Sequence, residues 1–255
     1  MQNKKILITG ATSGIGEATL RRLLTSGASK ILITGRRKER LKSLQQELST
    51  SACPVIPFCF DIRERESVEQ FVEYAKPELA DLDILINNAG LAAGRDLFQD
   101  ASIEDWEAMI DTNVKGLLYV TRAILPLMIA RKSGHIVNIG SIAGHSVYPR
   151  GNVYCATKFA VRALNEALRV DTLGSGIRVT SVDPGMVETE FSLVRYKGDA
   201  EKAAEVYKGV TPLSPSDIAD AIYWSLSRPK HVNIQEIVLT PTEQASTRDI
   251  ARRPE

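Results

Sequence analysis

Short runs rich in β-branched and aliphatic residues recur at 5–9, 30–34, 55–60, 83–87, 135–139, 178–182 and 236–240. They are apolar on both faces instead of alternating, the pattern of parallel strands covered by helices on each side of a sheet. The stretches between them, 15–26, 38–48, 67–79, 103–131, 154–173 and 216–227, repeat their apolar positions with helical spacing. Strand followed by helix throughout predicts an α/β fold, a doubly wound parallel sheet of seven strands with helices on both faces. No Pro/Ser-rich linker, internal repeat or low-complexity tract divides the chain, so 1–255 reads as one domain. One long interruption, 189–215, carries charges and aromatics beyond a strand end and is expected to form a lid or binding wall. The polar stretch 241–255 reads as a C-terminal tail.

Composition narrows the partners. The 255 residues are 44% apolar, enough for one large core, and carry 32 Lys and Arg against 31 Asp and Glu. Charges do not cluster into long like-signed blocks, so neither nucleic acid nor an anionic membrane is an expected partner. The first strand-like run begins at Lys5, which leaves no room for a signal peptide, and no apolar stretch approaches a membrane span; a cytoplasmic protein is expected. Cys53, Cys59 and Cys155 lack Cys-x-x-Cys spacing, fit a reducing compartment and read as packing residues. His135, His145 and His231 show no paired spacing, and no metal is expected.

Candidate chemistry begins directly after the first strand, where Gly10, Gly14 and Gly16 are spaced Gly-x-x-x-Gly-x-Gly before a helix. Glycine accepts positive φ and lets a phosphate approach the backbone, while the following helix offers unpaired amides and the positive end of its dipole. The turn Gly10, Ala11, Thr12, Ser13, Gly14, Ile15, Gly16 is therefore a candidate pyrophosphate cradle in a Rossmann-type sheet. Further along stand Asp61 after the third strand, Asn87-Asn88-Ala89-Gly90 after the fourth, Asn113, Ser141, Tyr154-x-x-x-Lys158 and Pro184-Gly185. Taken singly, Asp61 reads more readily as a helix cap, the Asn pair as a turn and Pro184-Gly185 as a loop than as functional residues.

In this order and register, over nearly the whole chain, the motifs resemble those of the short-chain dehydrogenase/reductase family. The resemblance implies that Asp61 and Ile62 contact an adenine, that Asn88, Ala89 and Gly90 pack beside the ribose, and that the segment of Pro184, Gly185, Val187 and Thr189 holds a nicotinamide. It implies a homotetramer as well, with helices 105–131 and 154–173 pairing between subunits.

Tyr154 and Lys158, four apart in a helical segment, lie on one face and act on a common point. A phenol is a poor base at neutral pH unless nearby positive charge favours the phenolate, and Lys158 with an oxidised nicotinamide supplies that charge. Protonated Tyr154 then donates to a carbonyl oxygen, and ionised Tyr154 takes the alcohol proton in reverse. Ser141, at the carboxyl edge of the sheet, hydrogen-bonds the same oxygen. Asn113 enters by resemblance alone, as the residue tethering a water linked to Lys158.

Nicotinamide enzymes that use NAD place an acid at the end of the second strand to hold the ribose hydroxyls. Here that position reads Thr34-Gly35-Arg36-Arg37-Lys38. Three cations at a helix start call for an anion, and the 2'-phosphate of NADP fits, with Arg36 and Arg37 as its clamp and Ser13 and Arg40 as further candidates. The stretches 34–41, 105–113, 151–154 and 190–199 are similar to the NADP-dependent 3-hydroxy acid dehydrogenases, which include serine and allo-threonine dehydrogenases, and to sulfoacetaldehyde reductases. That likeness implies a small carbonyl or alcohol substrate, with Tyr148 beside Ser141 and Tyr154, and Arg195 forking onto a carboxylate or sulfonate. Pro149-Arg150, where small residues are expected, departs from the pattern. A 3-oxoacyl thioester reductase shares the turn and tetrad but closes with a glycine-rich turn, unlike the Gln244-containing tail here. A non-catalytic NADP-binding regulator is the third reading.

Overall fold

The computed structural model describes residues 2–254. β1 (Lys5–Ile8) runs through the glycine turn into α1 (Gly14–Leu24). There follow β2 (Lys30–Gly35), α2 (Lys38–Leu48), β3 (Val55–Cys59), α3 (Arg65–Tyr74), the short α4 (Lys76–Leu79) and β4 (Ile84–Asn87). The second half contains α5 (Ile103–Ile110), a π-helical turn (Asp111–Gly116), α6 (Leu117–Ala130), β5 (Gly134–Ile139) and α7 (Asn152–Asp171). It ends with β6 (Ile177–Pro184), α8 (Glu190–Arg195), α9 (Ala200–Glu205), α10 (Pro215–Leu226) and β7 (Glu236–Leu239). Among the described residues the strands form one parallel sheet in the order β3-β2-β1-β4-β5-β6-β7. The order reverses between β1 and β4, the point at which open parallel sheets hold ligands.

The doubly apolar strands are explained by their two covered faces. Ile6, Ile8, Ile31, Ile33, Ile84 and Ile86 face Leu20 and Leu23 of α1 and Ile218 and Ile222 of α10. Leu7, Leu32, Leu85 and Ile136 face Val68 and Phe71 of α3 and Val120, Ile124 and Met128 of α6. Each such side chain, fully removed from water, contributes about 1.5–3 kcal/mol.

Three expectations change. The helix expected over 67–79 divides at Ala75, because Pro77 has no N–H to continue the ladder. The run Ile103–Ala130 is, over its 28 residues, long and apolar enough to cross a membrane by length and composition, against the expectation that no stretch approaches a span. Its residues Met109, Leu117, Val120, Ile124 and Met128 are instead buried within the fold. Cys59 is exposed and not a packing residue, since it ends the edge strand β3 with its Sγ 3.6 Å from the Arg36 carbonyl oxygen.

Candidate active site

The carboxyl ends of the central strands open onto a cavity of about 620 Å³. Its first wall is the glycine turn, with Gly10, Thr12, Ser13, Gly14 and Ile15 lining it. Gly10 has φ +65°, and a Cβ there would stand 2.7 Å from the Ala89 Cα, so the turn closes on the loop after β4 only without a side chain. Asn88 reinforces it, its Nδ2 donating to the carbonyls of Thr9 at 2.9 Å and Gly10 at 3.0 Å. Gly16 packs behind the turn against Asn88 and does not line the cavity. Ser13 sits extended at the N-cap of α1 and makes no capping hydrogen bond. The first-turn amides thus face the cavity as a ready anion site.

Arg36 and Arg37 line the same wall, with Asp61 and Ile62 beyond. Arg36 stands 3.7 Å from Asp61, which also pairs with Arg63 at 2.7 Å. Burial raises the Asp61 carboxyl pKa, but Arg63 outweighs that and leaves it below the usual carboxylate range. Arg37 donates to Thr12 Oγ1 at 3.1 and 3.0 Å and pairs with Glu190 of α8 at 2.8 Å. Arg40 does not line the cavity, and its guanidinium pairs with Glu17 at 2.6 Å. The hydroxyls of Thr34 and Thr112, both buried and lining the cavity, have no hydrogen-bond partner among the described residues. An uncapped helix start, two arginines and orphaned hydroxyls in one elongated cavity fit a phosphorylated dinucleotide.

Tyr154 and Lys158 enter from α7, both more than nine-tenths buried. Lys158 Nζ donates to the Ile139 carbonyl at 2.9 Å and lies 5.9 Å from the centre of the Tyr154 ring. Burial lowers the Lys158 ammonium to about 8, with the buried Asp183 opposing the shift. Burial pushes the Tyr154 phenol above its ordinary value, while a hydrogen bond with Ser141 and the charge of Arg195 pull it down. In the protein without cofactor the Tyr154 hydroxyl is therefore held protonated, the form that donates to a carbonyl oxygen. Ser141 Oγ accepts from the Ala143 N–H at 3.1 Å, at the mouth of β5. Asn113 lies outside the cavity wall. Placed by the π-helical turn, its Oδ1 accepts from the Leu91 N–H at 2.8 Å, and its Nδ2 donates to the Leu91 carbonyl at 2.8 Å and Thr157 Oγ1 at 3.1 Å.

The substrate end is built from the loop after β4, from α8 and from the tail. The Arg195 guanidinium carbon lies 5.5 Å from the Tyr148 ring centre and 5.4 Å from that of Tyr154. Pro184, Gly185, Val187 and Thr189 line the floor, where Gln244 Oε1 accepts from the Met186 N–H at 2.8 Å. The interruption 189–215 is helical in part, α8 and α9 being capped by the side chains of Thr189 and Asp199. Sequence reasoning missed Arg95, which lines the cavity from an aperiodic loop, and the pairing of Glu190 with Arg37. It also missed the cluster behind Lys158, in which His145 Nε2 lies 2.6 Å from Asp183 and 3.7 Å from Glu236. These carboxylates are already engaged, Asp183 by Ser181 and Glu236 by Arg162.

A dinucleotide cradle at the switch point, joined to a buried Tyr and Lys and a half-buried Ser, defines an α/β oxidoreductase of the nucleotide-binding class. The short chain dehydrogenase family model matches residues 4–199, and the chain belongs to that family. It is 48% identical over 241 residues to the NADP-dependent 3-hydroxy acid dehydrogenase YdfG of Salmonella typhi, covering 94% of this chain and 96% of that protein. It is 46% identical over 240 residues to the serine 3-dehydrogenase of Agrobacterium fabrum (strain C58), covering 94% of each. The closed form of a serine dehydrogenase complexed with NADP+ superposes with a TM-score of 0.92 at 45% identity, over 98% of this chain and 100% of that one.

Proposed function

We propose that the chain is an NADP-dependent oxidoreductase that interconverts a short 3-hydroxy acid, of the serine or allo-threonine type, or a small hydroxysulfonate, with its carbonyl form. The observation that carries this reading is the convergence of Ser141, Tyr154 and Arg195 on the cavity that starts at the uncapped end of α1. When bound, NADPH supplies the hydride and NADP accepts it. Gly10, Thr12, Ser13, Gly14 and Ile15 would hold the diphosphate, Arg36 and Arg37 the 2'-phosphate, Asp61 and Ile62 the adenine, and residues 88–90 with Pro184, Gly185, Val187 and Thr189 the nicotinamide end.

This chain's own residues then handle position and protons. Arg195 takes the acid group and fixes which way the carbonyl faces. Ser141 and Tyr154 donate to the carbonyl oxygen, and Tyr154 passes its proton as negative charge develops there, a role worth about 10²–10⁴ in rate. Lys158 stabilises the phenolate left behind, and Asn113 fixes the Leu91 backbone beside it. The region 189–215 acts as the lid of a single domain, closed from the far side by the tail. The exposed apolar residues Ile110, Leu118, Phe159 and Val170 on α5, α6 and α7 support a homotetramer assembled through those helices in the cytoplasm. Loss of NADPH absorbance with 3-oxobutanoate or sulfoacetaldehyde, and little loss with a 3-oxoacyl thioester, is the expected result. Preference for the thioester, or equal use of NADH, would overturn the reading.

A further inference from the structure

Two arginines of the cavity, Arg95 and Arg195, have no carboxylate within ion-pairing distance among the described residues. Arg95 follows Gly94 in the loop after β4, and its guanidinium carbon lies 5.8 Å from the Tyr148 ring centre. Arg195 lies 5.5 Å from that same ring. The other arginines of the cavity are engaged: Arg36 stands near Asp61, Arg37 is paired with Glu190, and Arg252 donates to the carbonyls of Val206 and Lys208. Among the described residues neither Arg95 nor Arg195 is ion-paired with a carboxylate. Arg195 gives its Nε to the Gly94 carbonyl, at 3.3 Å, and hydrogen-bonds the Tyr148 side chain, and Arg95 gives one Nη to the neutral Tyr196 hydroxyl, also at 3.3 Å.

The two cations are staggered. Arg195 touches both Tyr148 and the reacting Tyr154, and it is half-buried; Arg95 touches Tyr148 alone and is exposed. One guanidinium therefore stands beside both rings, Tyr148 and the reacting Tyr154, and the other, more exposed, beside Tyr148. Like charges held on one ring, without counter-ions from the protein, are complementary to a ligand with two separated anionic groups.

Resting on the 3-hydroxy acid reading above, we propose that Arg95 is a second anion anchor and that the substrate class is a short 3-oxo or 3-hydroxy acid with a further acidic group at its far end. The reaction keeps the same balance. The carbonyl carbon gains the hydride of NADPH, the oxygen gains the Tyr154 proton, and the alcohol diacid and NADP are released.

The test compares kcat/KM with NADPH for 3-oxobutanoate, 3-oxoglutarate and 3-oxoadipate in the parent and in Arg95→Met. The parent should favour a diacid by about tenfold or more, and Arg95→Met should remove that preference while changing 3-oxobutanoate by less than about twofold. Equal use of all three acids by the parent overturns the proposal. So does a variant that loses equally on each, since that means one carboxylate is shared by both arginines or the loop is damaged. Calorimetry on the NADP-loaded protein, with glutarate and adipate against butyrate, separates this proposal from the reading beneath it. Arg95-dependent diacid binding without turnover of any oxo acid removes the 3-hydroxy acid reading and leaves the second anchor standing. Turnover of 3-oxobutanoate with no tighter diacid binding does the reverse.

Discussion

Gly94 and Arg195 hold each other twice: the Gly94 N–H donates to the Arg195 carbonyl at 3.0 Å, and Arg195 Nε donates to the Gly94 carbonyl at 3.3 Å. The clasp ties the loop after β4 to the end of α8, and it needs Gly94 at φ +68°, where a Cβ would stand 3.0 Å from Asp105 Oδ2. Arg195→Ala removes the side-chain half and leaves the backbone half. Acidic substrates should lose about tenfold or more in kcat/KM, while a neutral aldehyde of similar size changes little. Parallel losses on both would reduce Arg195 to a lid residue.

Tyr154→Phe should retain NADPH binding and lose nearly all turnover. The ring still packs edge-on against Phe191, at 5.7 Å between centres, but its transferable proton is gone. Cofactor titration and steady-state rates on the same preparation decide it; near-parental turnover would take Tyr154 out of the mechanism.

Lys158 gives a pH signature. Its ammonium, lowered to about 8 by burial, is charged below that pH and neutral above it. The family resemblance implies that Lys158 also hydrogen-bonds the nicotinamide ribose, so NADPH affinity should fall as pH rises through about 8, and Lys158→Met should bind weakly at every pH with that dependence removed. Fluorescence titrations over a pH series would read both.

Arg37 lines the cavity beside the glycine turn and is paired with Glu190 of α8. Its pair with Glu190 is about half exposed on both sides and worth only about 0–1 kcal/mol, so a phosphate displaces the carboxylate easily. Glu190→Gln should tighten NADP a few-fold with NAD little changed, and Arg37→Ala should weaken NADP by about tenfold or more. An unchanged NADP to NAD ratio in Arg37→Ala would exclude Arg37 from cofactor choice.

His135 predicts acid sensitivity. Desolvation, with Arg178 nearby, lowers it from 6.5 to about 3. Between those values the unfolded chain binds a proton that the folded chain refuses, so stability falls by about 1.4 kcal/mol per pH unit as pH drops. Above 6.5 the group contributes no slope. Thr180 Oγ1 donates to the Ile234 carbonyl at 2.7 Å, so at 2.8 Å it accepts from His135, which fixes the Nε2–H tautomer. Denaturant midpoints of His135→Gln and the parent over that range, with ring nitrogen shifts by NMR, test slope and tautomer together.

The strands were legible to within a residue or two because their apolar runs are set by burial on both faces, as at Ile31 to Ile33. The helix 38–48 matches α2 to the residue, whereas Pro77 divides the helix after it. Tyr154, Lys158 and Ser141 were legible because their relation is local, or fixed by a strand end. Arg95 was not: nothing periodic marks its loop, and its neighbour Tyr196 lies 101 residues away. The pair of Arg40 with Glu17 was hidden for a related reason, since a helix start places a cation near the cavity but the position of the Glu17 carboxylate is set by tertiary packing. The desolvation of the Tyr154 phenol was not legible, because spacing reveals a charge four residues on but not the burial opposing it.

The π-helical turn at Asp111–Gly116 has a price in design terms. Such turns hold one residue more than the α-helix needs, and they recur where function demands an awkward geometry. A variant lacking one residue of that turn would join α5 and α6 into a single regular rod, melt at a higher temperature, and swing Asn113 off Leu91. A screen for heat resistance alone would reward that deletion, and would breed a sturdier protein in which Asn113 no longer holds the Leu91 backbone.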